Sequence, residues 1–293
     1  MKKTLIGIAF VLLAAAMWGT LPTFSRLAYA EGSDPYTAAA MRAYLASLVF
    51  LVWLGANGTL RRLQVREIGF YFIYGLAGVS GTFLFYMIAV EKLSTAMAAM
   101  LLYTGPSFVI VFSRIFYKER ITRAKLAALV CTAIGCALVL RLYAPGGGAG
   151  PLGVFIGLCS GLSYSMVTVL GKKAAGYRHD SITNAGLMIL FGTLVFFFIR
   201  PPWKITVPTI SLGIDYLGLA LFGSVFAYIA YLKGLGSGLE GGIASITASI
   251  EPVMATVISA AVFGDVLEWQ QALGMGIVLF GVSIPILAQR IRR

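Results

Sequence analysis

Long apolar runs alternate with short polar breaks from one end of the chain to the other. Each run is about twenty residues, enough to cross a bilayer as a helix. The pattern predicts ten spans, at 4–25, 37–56, 68–90, 95–117, 124–142, 152–172, 181–199, 212–233, 243–263 and 271–289. The longest break, "APGGGAGP" at 144–151, is too rich in glycine for a helix and reads as a hinge. The expected fold class is an all-α polytopic membrane protein forming one membrane domain.

Composition agrees. The 293 residues are 59% hydrophobic and 12% charged, whereas a soluble domain carries about a quarter charged residues. The net charge of +12 would suit a nucleic-acid binder, but the basic residues sit in short loops between apolar runs. The N-terminus, the even-numbered connections and the C-terminus together hold 16 Lys and Arg, against 5 on the other side. That asymmetry predicts both termini in the cytoplasm of a multi-pass protein of the cell inner membrane. The opening "MKKTLIGIAFVLLAAAMWG" has the form of a secretory leader, a reading the next observation opposes.

Shifted by 146 residues, the chain falls on itself without a gap. Gly7 meets Gly153, Val79 meets Val225, Leu93 meets Leu239, Pro106 meets Pro252, Ser113 meets Ser259 and Gly135 meets Gly281. Acidic Glu119 meets acidic Asp265, and Trp18 meets Tyr164. Few positions are identical, yet one offset pairs every span with a span. Span 1 is the partner of span 6, so removing it as a leader would break the repeat. Each half, 1–145 and 146–293, holds five spans. An odd number makes the second half enter the membrane upside down, an arrangement frequent among secondary transporters, with the substrate site near the midplane.

Span 9 carries the oddest chemistry. "SITASIEPVMATVIS" (245–259) sets Glu251 beside Pro252, with no other charge within ten residues. Its eight strongly apolar residues contribute about −4 kcal/mol to insertion, and one central acid costs roughly +3. Such a span needs shelter from neighbours, which its many Gly, Ala, Ser and Thr residues permit. Pro252 deprives the Ala248 carbonyl of its helical partner, and Pro106 does the same to Leu102. The alternatives for Glu251 are substrate or proton binding and a purely structural lock.

Two stretches, "AVEKLSTAMAAMLLYTGPSFVIVFSRIFYKERIT" (89–122) and "GLGSGLEGGIASITASIEPVMATVISAAVFGDVL" (234–267), resemble the signature of the drug/metabolite transporter superfamily, in its EamA-type ten-helix form. Each has a small-residue run, a mid-helix proline and a closing acid before a polar turn. "MWG" (17–19) and "MRAYLA" (41–46) are similar to that family too. The chain departs from the pattern at Gly105, where the second half has Glu251, and at "YKER" (117–120), which lacks a glycine before the acid. The resemblance implies a secondary transporter exporting small metabolites, with amino acids foremost, by alternating access. Drug, amine or nucleoside export and a solute channel are the alternatives.

Candidate substrate-binding residues are Trp18, Tyr86, Tyr103, Tyr164 and Glu251; candidate gating or structural residues are Arg42, Gly105, Pro106 and Pro252. Arg42, inside span 2, is expected to snorkel outward or to pair with an acid or a substrate carboxylate, a structural or gating pair being favoured over direct substrate contact. The expected partners are a small-molecule substrate and the lipid bilayer, without nucleic acid, for a monomer or weak homodimer. No enzyme activity, cofactor or metal is expected. The one histidine, His179, lies in a loop, the three cysteines show no ligand spacing, and there is no nucleotide-binding glycine motif.

Overall fold

The computed structural model describes residues 2–143 and 150–291. Residues 144–149 of the hinge expected at 144–151, with the boundary between halves, and Met1, Arg292 and Arg293 lie outside the described residues.

Among the described residues there are ten helical passes. We number them α1 (Lys3–Ala30), α2 (Pro35–Ala56), α3 (Val65–Lys92), α4 (Thr95–Tyr117), α5 (Arg123–Val139), α6 (Pro151–Ala174), α7 (Ser181–Ile199), α8 (Ile210–Gly236), α9 (Gly241–Phe263) and α10 (Trp269–Ile291). Nine of them are long and apolar enough to cross a membrane, and α5, with 17 residues, is just shorter. The chain is thus a helical multi-pass membrane protein.

Helix starts are set by local chemistry. Asp34 accepts from the Tyr36 and Thr37 amides at the start of α2 (2.9 and 3.0 Å), and its image Asp180 accepts from Thr183 at the start of α7 (2.7 Å). A carboxylate satisfies amides that a helix leaves without partners.

The repeat is visible in the backbone register. Span 4 breaks at Tyr103 and Thr104, giving half-helices Thr95–Leu102 and Gly105–Tyr117. Span 9 breaks at Ser249 and Ile250, giving Gly241–Ala248 and Glu251–Phe263. The bounds coincide after the shift of 146 residues. So do two π-helical segments, Gly75–Ser80 in α3 and Leu221–Phe226 in α8. The first pair does not follow the rule fully: α1 is interrupted at Gly19 and Thr20, while α6 is continuous.

Some residues touch their own images. Ser47 Oγ and Thr193 Oγ1, 146 positions apart, share a hydrogen bond of 2.7 Å between α2 and α7. Trp18 packs edge-on against Tyr164, ring centroids 6.3 Å apart. Such contacts mark an approximate two-fold axis between the five-helix sets. We call the side of the connections that follow α2, α4, α6 and α8 the basic face, after the lysines and arginines those connections carry.

Packing around the axis depends on small residues. Helices in lipid gain no hydrophobic advantage from one another, so close backbone approach matters more. A Cβ added at Gly135 of α5 would lie 2.6 Å from Val278 and 2.7 Å from the Gly274 carbonyl oxygen of α10. Gly281 is the image, tight against Cys131 and Thr132.

Gly135→Val is therefore expected to separate α5 from α10 and cost about 1–3 kcal/mol. Gly276→Ala, which meets nothing within 4 Å, is the control. Thermal unfolding in detergent checks both; equal midpoints would contradict this account of the interface.

Candidate functional site

The two prolines stand just after the breaks. Pro106 and Pro252 are both buried and open the second half-helices. Around the breaks the ladder tightens to shorter bonds, Ser107 N to Thr104 O (2.9 Å) in one repeat and Ser249 N to Ile246 O (3.1 Å) in the other. Hydroxyls satisfy further carbonyls: Thr104 donates to Leu101 O (2.6 Å), and Thr247 donates to Ile243 O (2.8 Å). Polar backbone at membrane depth requires such partners. Beside the breaks lies a cavity of about 60 Å³, lined in part by Tyr103, Ser107, Thr132, Cys136 and Ser249. Tyr103 and Ser249 are images of each other, so both breaks open onto this one space.

Glu251 begins the second half of α9 and is partly accessible. Its carboxyl makes no ion pair at contact distance with a described residue, and the Tyr103 hydroxyl is placed to donate a hydrogen bond to it. Tyr103, Tyr86, Tyr164, Tyr228 and Arg42 are near enough to feel its charge. Gly105, its image, faces the other way. A Cβ there would lie 2.7 Å from the Tyr164 ring and 3.2 Å from the Gly161 carbonyl oxygen. Glycine is needed at 105 because Tyr164 occupies the room that a side chain would take.

Arg42 is not paired with a carboxylate among the described residues. Its Nε donates to Ser224 Oγ (2.8 Å), its Nη2 donates to the Gly223 carbonyl (2.5 Å), and the guanidinium lies 4.5 Å over the Phe83 ring. Gly223 and Ser224 belong to the π-helical segment of α8. The widened turn offers a carbonyl to the arginine, and Nη1 has no hydrogen-bond partner among the described residues. The sequence pointed to an acid; the structure supplies neutral oxygens, a stacked ring and a charge sensed from Glu251.

Trp18 is 3% exposed. It packs against Tyr228 (5.4 Å), Tyr231 (5.2 Å) and Tyr164, beneath the open space and not on its surface. Tyr86, Tyr103 and Tyr164 are partly accessible. Sequence reasoning missed Tyr228, Ser224 and Phe83, because the π-helical turn that aims α8 at Arg42 has no signature in the apolar pattern.

A second polar cluster closes the basic face. Glu119 accepts hydrogen bonds from the Gly241 amide (2.9 Å), the Gly242 amide (3.4 Å) and Lys172. Lys125 lies 3.5 Å from Glu119 and 2.6 Å from Glu240. Burial opposes the Glu119 charge, but the hydrogen bonds from Lys172 and Gly241 and the two lysine charges outweigh it and hold its carboxyl below the usual range. The group's stabilising contribution is therefore present above the usual carboxylate range and is lost as pH falls through the lowered value.

The broken, duplicated architecture matches a known family. The profile of the EamA-like transporter family covers residues 5–141 and again 151–286. The chain belongs to the EamA-like transporter family. It is similar to a protein of Archaeoglobus fulgidus named as an uncharacterized transporter, with 28% identity over 95% of each chain. A transporter of Clostridium kluyveri, likewise named as uncharacterized, is 24% identical over 97% of this chain and 93% of its own. The inner membrane transporter YedA of Escherichia coli is 26% identical, covering 68% of this chain and 64% of that protein. A solved crystal structure superposes with a TM-score of 0.82 at 19% identity, covering 100% of this chain and 99% of that one, and so shares the fold. For this EamA-family chain, transport is the function that the relatives' names support, and the doubled match agrees with the repeat.

Gly105→Ala is expected to destabilise this EamA-family protein by about 1–3 kcal/mol through collision with Tyr164. Adding Tyr164→Leu should recover part of that loss, a coupling that thermal unfolding of the single and double variants measures. Additive losses would contradict the contact.

Proposed function

We propose that this protein is a secondary transporter that exports small metabolites, amino acids foremost, across the inner membrane by alternating access. One observation carries the substrate class. The Arg42 guanidinium and the Glu251 carboxyl lie near enough to feel each other's charge, Tyr86, Tyr103, Tyr164 and Tyr228 stand around the acid, and Arg42 Nη1 has no hydrogen-bond partner among the described residues. A solute with one carboxylate and one ammonium complements that pair. Its side chain would rest on Tyr86, Tyr103 and Tyr164, with Trp18 backing Tyr164. Arg42 also ties α2 to α8, so it serves as a structural anchor as well as a contact. Gly105, Pro106 and Pro252 shape the space by breaking the helices around it.

The units that move are residues 1–145 and 146–293, rocking about the approximate two-fold axis. The Escherichia coli relative has inner membrane in its name, and the basic asymmetry orients both termini to the cytoplasm. Impermeant thiol reagents applied outside intact cells are expected not to label Arg120→Cys; labelling there would reverse the topology.

An amine without a carboxylate would use Glu251 and the aromatic rings alone, which supports the drug or amine reading. Counterflow in liposomes separates the possibilities. Exchange of amino acids that saturates is expected. Movement of amines or nucleosides with no amino-acid exchange would overturn the substrate class, and non-saturating flux without counterflow would point to a channel. Glu251→Gln keeps shape and removes the charge. It is expected to weaken apparent substrate affinity at least about tenfold, the loss of one charge-assisted hydrogen bond. Unchanged affinity and pH profile, at normal expression, would leave Glu251 a structural role only.

A further inference from the structure

The two acids that close the repeat motifs sit in the same local structure but in different states of engagement. The second half of α4 ends at Tyr117, Lys118 turns left-handed (φ 55°), and Glu119 follows. The second half of α9 ends at Phe263, Gly264 turns left-handed (φ 69°), and Asp265 follows. A cation from the image helices serves each acid. Lys172 of α6 bonds Glu119 and lies 5.2 Å over the Tyr117 ring. Arg26 of α1 bonds Asp265 at 2.9 Å and lies 4.1 Å over the Phe263 ring. Lys172 and Arg26 are 146 positions apart, as are the two rings and the two acids.

What each acid does next differs. Glu119 reaches the other repeat and caps the first half of α9 through the Gly241 and Gly242 amides, and it is buried there. Gly241 presses on Ser113 and Val109 of α4, with an added Cβ 2.8 Å from Ser113 Oγ. Asp265 instead accepts from Ser259 Oγ of its own helix (2.7 Å) and is exposed. The images of the two glycines, Thr95 and Ala96 at the start of α4, do not donate to it, and Thr95 is exposed. Ser113 is the image of Ser259. Its hydroxyl is buried without a hydrogen-bond partner, the cost of losing an acid that the same serine holds in the other repeat.

We propose that Glu119 and Asp265 form a reciprocal pair of latches, one per membrane face, each closing its face by capping the first half-helix of the opposite repeat. On this assignment the state seen here is closed at the basic face, where Glu119 is latched, and unlatched at the opposite face, where Asp265 is parked on Ser259 and exposed. In the alternate state Glu119 is parked on Ser113, and Asp265, with Arg26, caps Thr95 and Ala96. Each acid keeps its cation and ring throughout, so only the cap and the serine exchange. The proposal rests on the alternating-access reading above and assigns its two gates.

Paired spin labels in nanodiscs test it, in a background lacking the three native cysteines. One pair, Ile121→Cys with Gly236→Cys, spans the basic face. The other, Val266→Cys with Lys92→Cys, spans the opposite face. Glu119→Gln is expected to lengthen the first distance and shorten the second. Asp265→Asn is expected to leave only the arrangement seen here. Ser113→Ala removes the parking partner alone; it should raise the melting temperature and also favour the arrangement seen here. Should Glu119→Gln fail to fold, the opposed signs at Ser113 and Ser259→Ala remain decisive, the latter favouring the alternate state. Distances that do not respond, or that shift the same way for Glu119→Gln and Asp265→Asn, would overturn the latch. Distances that respond as expected while no amino acid is exchanged would sink the substrate class and leave the latch standing.

Discussion

Every buried peptide group in a bilayer must find its partner inside the protein, because the hydrocarbon offers none. That requirement governs this molecule. A helix can be interrupted at membrane depth only where something else takes the freed groups. Around the two breaks, short turns and threonine hydroxyls engage neighbouring carbonyls, those of Leu101 and Ile246 among them. At the π-helical turn of α8, the Arg42 guanidinium takes the Gly223 carbonyl. The central space exists because these irregularities converge, and its polar character follows from them.

The two repeats hold the backbone constant while the side chains diverge. Lys118 occupies a left-handed position that Gly264 fills in the image. A left-handed residue with a Cβ carries strain of roughly 1–2 kcal/mol, so surrounding contacts must hold the turn. Gly105 and Glu251 show the converse. One position is emptied because Tyr164 stands in front of it, and its image holds the acid. A duplicated scaffold gains an asymmetric site by such exchanges, with the main chain left alone.

The ten spans, the repeat and the proline breaks were legible from periodicity and offset, because hydrophobic length and proline chemistry are local properties. The ends of spans were less so. Span 1 was expected to end at 25, yet the helix runs to Ala30. Span 7 was expected at 181–199 and is found at Ser181–Ile199, where Asp180 provides an unambiguous start. The π-helical turns were invisible, since shifting a ladder by one residue leaves the apolar pattern unchanged. Arg42 was read as seeking an acid, because a sequence displays side chains and hides carbonyls. Glu119 was noticed as a motif acid; its grip on Gly241 could not be, as the two are 122 residues apart.

The Ser47–Thr193 contact carries an ancestral implication. A group lying on a two-fold axis must be complementary to itself if both copies are identical. A hydroxyl meets that condition, since it donates and accepts at once; an ammonium or a carboxylate does not. A single five-helix chain with a hydroxyl at this site could dimerise as an antiparallel pair about that two-fold axis without any change there. Once two copies share one polypeptide the condition lapses. Each member can then drift separately, as serine and threonine here already have.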